Sequence, residues 1–189
     1  MKAVLVCGSP RLNGNTQKLL ELAEEVLQEN NIDTELILLH GKDIKPCIAC
    51  NRCRETKDRM CSIKDDDFHT VFNKILEADA LVIGSPVYFG SATSQTTCLL
   101  HRTGYVSRGN GRLLSGKVGA PIVVARRAGH NFTYAQLVLF LTMNDMTVAG
   151  STYWNIAFGK NPGEVMDDEE GVETIRRCAQ NISMLLSKK

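Results

Sequence analysis

Short apolar runs alternate along this chain with stretches of helical periodicity, and few folds accept that alternation. Met1–Cys7 reads as a buried parallel strand, and Thr34–Leu39, Ala80–Ile83, Ala120–Ala125 and Thr147–Ser151 as four more. Helical spacing fills the intervals. Thr16–Glu29 sets Leu19, Leu20, Ala23 and Leu27 on one side. Phe68–Ala78, Ala92–Thr103, Asn131–Thr142 and a closing stretch from about Asp168 to Leu186 follow the same period. Parallel strands need crossover connections, so five of them with helices between imply an α/β fold: an open five-stranded parallel sheet with helices on both faces. Pro121 is expected to open the fourth strand. One segment after the second strand, Gly41–Asp67, shows no clear period. A loop that long inside a compact domain is uncommon and usually functional.

The chain fits one domain spanning 1–189, and 43% apolar residues provide for a sizeable core. Lys and Arg total 22 against 21 Asp and Glu, a net charge of +1. That balance argues against a general nucleic-acid or polyanion binder. No apolar run approaches the roughly 20 residues of a membrane helix. The opening strand breaks at Gly8, short of the roughly 7–15 apolar residues and cleavage site of a signal peptide, so a cytoplasmic protein is expected. Seven cysteines are many for such a chain. An odd total in a reducing compartment does not suggest a disulfide framework.

In open parallel sheets ligands bind beyond the carboxyl ends of the strands. There, Gly8-Ser9-Pro10-Arg11-Leu12-Asn13-Gly14-Asn15-Thr16 runs straight into a helix. Hydroxyls, amides and an Arg at a helix N-terminus suit a phosphate, because free N–H groups and the helix dipole both favour an anion. This is not a Walker A loop: Gly8 and Gly14 stand one residue too far apart and no Lys follows Gly14. A plain turn with Asn15 or Thr16 capping the helix is the alternative. After the third strand, Gly84-Ser85-Pro86-Val87-Tyr88-Phe89-Gly90-Ser91 sets two aromatics between glycines, able to flank a planar ring or simply to close the core. After the fourth, Ala125-Arg126-Arg127-Ala128-Gly129-His130 brings two cations to the same edge. They suit an anionic ring or a substrate phosphate, or form a solvated pair.

Cys47, Cys50, Cys53 and Cys61 read C-x2-C-x2-C-x7-C. Three thiolates spaced by two residues can wrap one face of a cubane, with the fourth closing it. Zinc sites usually pair two separated knuckles instead, so the spacing favours an iron–sulfur cluster over zinc. A redox-active thiol set and a partly occupied relic site are the remaining readings. Seven basic residues surround the motif (Lys42, Lys45, Arg52, Arg54, Lys57, Arg59, Lys64), against three acidic ones between Lys42 and Lys64. Such a patch suits an anionic cluster or an acidic docking partner. Cys7, Cys98 and Cys178 read as structural thiols. Asp65-Asp66-Asp67 precedes a helix and favours its positive end.

The three loop motifs GSPRLNGNT, GSPVYFGSATSQ and ARRAGH, with the later segment Ala157–Val165, resemble the NAD(P)H-dependent FMN reductase-like branch of flavodoxin-like proteins. With the cysteine run added, the chain resembles the iron–sulfur flavoproteins within that branch. The resemblance implies a flavodoxin-like strand order, FMN, and a [4Fe–4S] cluster on Cys47, Cys50, Cys53 and Cys61. It assigns FMN phosphate contacts to Ser9, Arg11, Asn15 and Thr16. Ring contacts go to Pro86, Val87, Tyr88, Phe89, Gly90 and Ser91, and to Arg126, Arg127, Ala128 and Gly129. It further implies a homo-oligomer, dimer or tetramer, a ferredoxin-like electron donor and a small-molecule acceptor, with neither nucleic acid nor membrane involved. No protein residue need act as acid or base, since the cofactors carry the chemistry. Two other readings stand beside it: a cluster-free NAD(P)H-dependent FMN or quinone reductase, and a non-enzymatic redox sensor or electron carrier.

Overall fold

A computed structural model of the chain describes residues 1–188. Strands β1 (Lys2–Cys7), β2 (Asp33–Leu38), β3 (Ala80–Pro86), β4 (Val118–Ala125) and β5 (Thr147–Val148) form a parallel sheet in the order β2-β1-β3-β4-β5. A further strand, β6 (Ile156–Phe158), also pairs in parallel with β4. This is the flavodoxin-like order, whose crevice lies where the strand order reverses, between β1 and β3. The helices are α1 (Asn15–Glu29), α2 (Arg52–Thr56), α3 (Phe68–Glu77), α4 (Ser94–Gly109), α5 (His130–Met143) and α6 (Glu169–Ser187).

Side chains alternate across each strand, so the sheet builds two cores. Leu5, Cys7, Val82 and Ile122 face α1 and α6, while Val4, Val6, Leu81, Ile83 and Val123 face α3, α4 and α5. Both faces are thus covered, as a parallel sheet requires. No helix among the described residues is long and apolar enough to cross a membrane.

The fifth strand differs from the expectation. Thr147–Ser151 gives only Thr147 and Val148 to the sheet, opposite Val118 and Gly119. The same edge of β4 is then taken up by β6, opposite Val123, Val124 and Ala125. Pro121 explains the gap. It lies inside β4, not at its start, and has no N–H to give the neighbouring strand. Its carbonyl accepts instead from the side-chain Nδ2 of Asn155 at 3.0 Å, and the Val123 N–H donates to the Asn155 carbonyl at 2.9 Å. The chain detours between Ala149 and Asn155 and rejoins the sheet as β6.

The aperiodic segment after β2 runs beside α4 rather than over the carboxyl edge. Gln95, at the start of α4, donates to the Lys42 carbonyl at 3.4 Å; Asn110, just past its end, donates to the Cys53 carbonyl at 3.0 Å. Its one regular piece is α2.

Candidate functional site

A cavity of about 390 Å³ opens at the carboxyl ends of β1, β3 and β4. Among the expected phosphate residues, Ser9, Arg11, Asn15 and Thr16 all line it; among the expected ring residues, Pro86, Val87, Tyr88 and Arg126 do. Phe89, Gly90, Ser91, Arg127, Ala128 and Gly129 stand outside that wall. Every charged residue of the lining (Arg11, Arg126, Lys160) is a cation, so the cavity is electropositive.

The loop geometry explains this wall. The Gly8 N–H donates to the Gly84 carbonyl at 2.7 Å, and the Thr93 hydroxyl donates to the Gly8 carbonyl at 2.7 Å while capping α4 through the Thr96 N–H. The Ser9 hydroxyl both accepts from the Arg11 N–H and donates to the Arg11 carbonyl, which curls the loop. Gly14 begins α1 with no side-chain cap, and the first turn carries no acid, so its amides remain open to an anion.

Asn15 does something the sequence did not reveal. Its Oδ1 accepts from the backbone N–H of Gly163 at 2.7 Å and of Val165 at 3.4 Å. That carboxamide clamps a distant loop over the cavity, adding Gly159, Lys160, Asn161 and Pro162 to the wall. Gly159 has to lack a side chain, since a Cβ there would stand 2.7 Å from both Asn15 Nδ2 and the Val165 nitrogen. Glu164 holds the same loop from outside. Its Oε2 accepts from the Lys160 and Asn161 N–H groups, each at 2.7 Å.

On the ring side, Tyr88 and Ser91 exchange both backbone hydrogen bonds, closing a two-residue turn whose central residues, Phe89 and Gly90, have φ of 51° and 81°. Phe89 at the tip is fully exposed. Gly129 allows the two ring loops to touch: a Cβ there would lie 2.9 Å from Val87 Cγ1 and 3.3 Å from Gly90 Cα.

A second, narrow cavity is lined by Cys47, Cys50, Cys53 and Cys61 together. Ala49 and Asn51, both with positive φ, flank Cys50 and wrap the run so that its thiols share that cavity. Backbone strain of this kind concentrates at functional sites. The Ala49 N–H donates to Cys47 Sγ at 3.4 Å, and Cys50 Sγ is hydrogen-bonded to Ser62 Oγ at 3.1 Å. That bond, with the Arg52 N–H, holds the Cys50 thiol below its ordinary value, which favours the thiolate. Burial pushes the Cys53 thiol up, and the nearby Cys61, Cys50 and Cys47 add to the rise. Among the described residues, no three Cys, His, Asp or Glu side chains are grouped as holders of a single metal ion. A cubane sets a different demand, taking each thiolate on a separate iron.

Arg102 of α4 lines the same cavity, and sequence reasoning passed it over. It is 1% exposed and paired with Asp66, which forms a buried ion pair and also accepts from the N–H of Phe68, the first residue of α3. Burial would raise Asp66, but hydrogen bonds from Arg102 and from the Lys45 and Phe68 N–H groups outweigh it and hold the carboxyl below its usual range. Lys45 pairs with Asp65 at 2.5 Å. Among the described residues the other six basic residues around the motif make no ion pair; Arg54 instead stacks over Tyr105 at 5.3 Å.

The remaining cysteines are packing residues. Burial pushes the Cys7 thiol up to about 11 and the Cys178 thiol up to about 12. His130 packs edge-on against Phe158 at 5.1 Å.

The family profile of NADPH-dependent FMN reductases matches residues 1–161. The chain is 35% identical over 190 residues to an iron-sulfur flavoprotein of Methanocaldococcus jannaschii, covering 97% of this chain and 96% of that protein. It is 30% identical over 191 residues to an iron-sulfur flavoprotein of Methanosarcina thermophila, covering 98% and 95%. Among solved structures, a flavodoxin from the domain Archaea superposes with a TM-score of 0.64 at 16% identity over 99% of each chain, a likeness of fold.

Proposed function

The chain belongs to the NADPH-dependent FMN reductase family, among its iron–sulfur flavoproteins, and on that footing we propose how this FMN-dependent oxidoreductase moves electrons. Electrons enter from a low-potential donor such as ferredoxin through a [4Fe–4S] cluster on Cys47, Cys50, Cys53 and Cys61, and leave by way of FMN to a small acceptor. One observation carries this reading: four thiols line a single cavity on the flank of α4, the helix whose N-cap braces the electropositive cavity.

Both cavities suit their groups. The open amides of α1, with Arg11 and Thr16, fit a phosphate dianion. Pro86, Val87 and Tyr88 would wall the ring, and Arg126 would offer a positive charge favouring its reduced, anionic form. Asn15 and Glu164 keep the covering loop closed. The four thiols, with N–H and O–H donors to sulfur, fit an iron–sulfur cluster. When bound, FMN exchanges electrons singly or in pairs and a [4Fe–4S] cluster one at a time, so the two together convert between these modes.

Within one chain the sites are offset along α4. From Gln95 to Arg102 the helix rises by about 10 Å. The family resemblance adds a homo-oligomer to the proposal, one protomer's cluster serving its partner's FMN, in a cytoplasm that keeps thiols reduced.

The test is anaerobic purification with FMN, iron, acid-labile sulfide and zinc quantified per chain. FMN with about four irons and four sulfides supports the reading. FMN with zinc or no metal, bleached rapidly by NADPH, replaces it with a cluster-free reductase. A protein without flavin overturns both.

Glu164 gives the FMN site a specific acid limb. Backbone N–H donors from Asn161 and Lys160 hold its carboxyl below the usual range. A carboxyl lower in the folded than in the unfolded chain contributes fully above pH 4.5, the ordinary glutamate value, and loses that contribution as pH falls through its folded value. FMN affinity, measured by fluorescence quenching, is expected to fall more steeply below pH 4.5 in the parent than in Glu164→Gln. Superimposable profiles refute the assignment.

A further inference from the structure

We propose that Arg102 holds and tunes the iron–sulfur cluster: the guanidinium clips both ends of the cysteine loop and presents its one remaining N–H to the cluster's sulfur. The inference rests on the cluster reading above.

A guanidinium has five N–H donors and stays charged in proteins, so burying one demands a full set of partners. Four of the five are accounted for. Nη1 donates to the Lys45 carbonyl at 3.2 Å and to Asp66 Oδ2; Nη2 donates to the Ile63 carbonyl at 3.0 Å and to Asp66 Oδ1 at 3.3 Å. The Phe68 ring packs against the guanidinium carbon at 4.0 Å. The fifth donor, Nε, is wholly buried and has no partner.

The placement of these bonds matters as much as their number. Lys45 lies two residues before Cys47 and Ile63 two residues after Cys61, so one side chain of α4 fastens the entry and the exit of the whole cysteine segment. A clip needs only the two Nη groups, and leaving Nε unsatisfied works against stability. A sulfur acceptor in the thiol-lined cavity resolves the orphan. Arg102 is also the one charged side chain, thiols aside, among the residues lining that cavity. A cluster on four thiolates carries net negative charge, and hydrogen bonds to its sulfurs and local charge set its potential. Reduction adds one more negative charge, so a donor aimed at sulfur favours the reduced form.

The experiment compares the anaerobically purified holoprotein with Arg102→Lys and with the charge-neutral double variant Arg102→Gln/Asp66→Asn. FMN per chain reports folding; iron and sulfide per chain report retention; an EPR-monitored redox titration reports the potential. Both variants are expected to keep FMN. Each should either lose at least half of its iron and sulfide or show a reduction equilibrium constant at least tenfold lower, 59 mV for a one-electron couple. Iron and sulfide at parental content, with a constant within threefold of the parent in either variant, would show that Arg102 neither holds nor tunes the cluster and overturn the proposal. A parent protein that binds FMN but no iron refutes the cluster reading itself, a separate outcome read from the parent alone.

Discussion

Cys50→Ser is expected to yield a folded protein with one FMN per chain and almost no iron or sulfide, against about four of each in the parent. Cys50 is exposed and belongs to neither core, so the sheet and its helices do not depend on it. The thiol's hydrogen bond to Ser62 and the strained turn around it point to a sulfur that must be a thiolate in a fixed place. Serine offers a hard, protonated oxygen in its stead, a poor ligand for iron in a sulfur cluster. Iron and sulfide assays with visible spectra decide the matter. Full metal content in the variant would remove Cys50 from the ligand set, and with it the three-residue spacing on which the cluster reading rests.

Gly8→Ala should be the most damaging single methyl in the phosphate loop. Its Cβ would stand 1.8 Å from Thr96 Oγ1 and 3.1 Å from the Gly84 carbonyl. Thr96 cannot yield, because it is wholly buried and hydrogen-bonded to Thr93 at 2.8 Å. Thr93 in turn caps α4 and donates to the Gly8 carbonyl. Overpacking costs about 1–3 kcal/mol, and disturbing the cap adds about 1 kcal/mol. For a chain of this size the melting temperature should fall by roughly 5–15 °C, and FMN affinity should drop with it, since the same loop shapes the cavity. A melting temperature within about 2 °C of the parent would show that the core relaxes around the methyl.

Much of this was readable in the sequence, and what was not has identifiable causes. The first four strands and their helices are regular segments whose own residues carry the period. The fifth strand misled because its interruption is imposed by Pro121, on the neighbouring strand. The start of β4 was placed late because Pro121 was expected to open it, whereas the strand begins at Val118 and includes Gly119, which is small to admit Leu141, whose Cδ2 would lie 2.7 Å from a Cβ. Six of the ten expected ring residues fall outside the cavity wall, and for the first loop the reason is local: the turn at Phe89 and Gly90 carries its tip away from the wall. Lys160 and its neighbours came into the site through Asn15, about 150 residues away in sequence, and no window along the chain can show such a clamp. Arg102 had no signature at all. One arginine in a helix looks solvated until Asp66, Lys45 and Ile63 are seen around it.

The interrupted outer strand also bears on how the protein lives in a crowded solution. A sheet edge is a row of unpaired amides that another chain can extend, and long flat edges invite fibres. Here that border is two residues of β5, a detour, and three residues of β6. A strand arriving from another molecule finds no continuous row to match, and Asn155 already spends its amide on Pro121. The proline that breaks the ladder thereby guards against open-ended stacking.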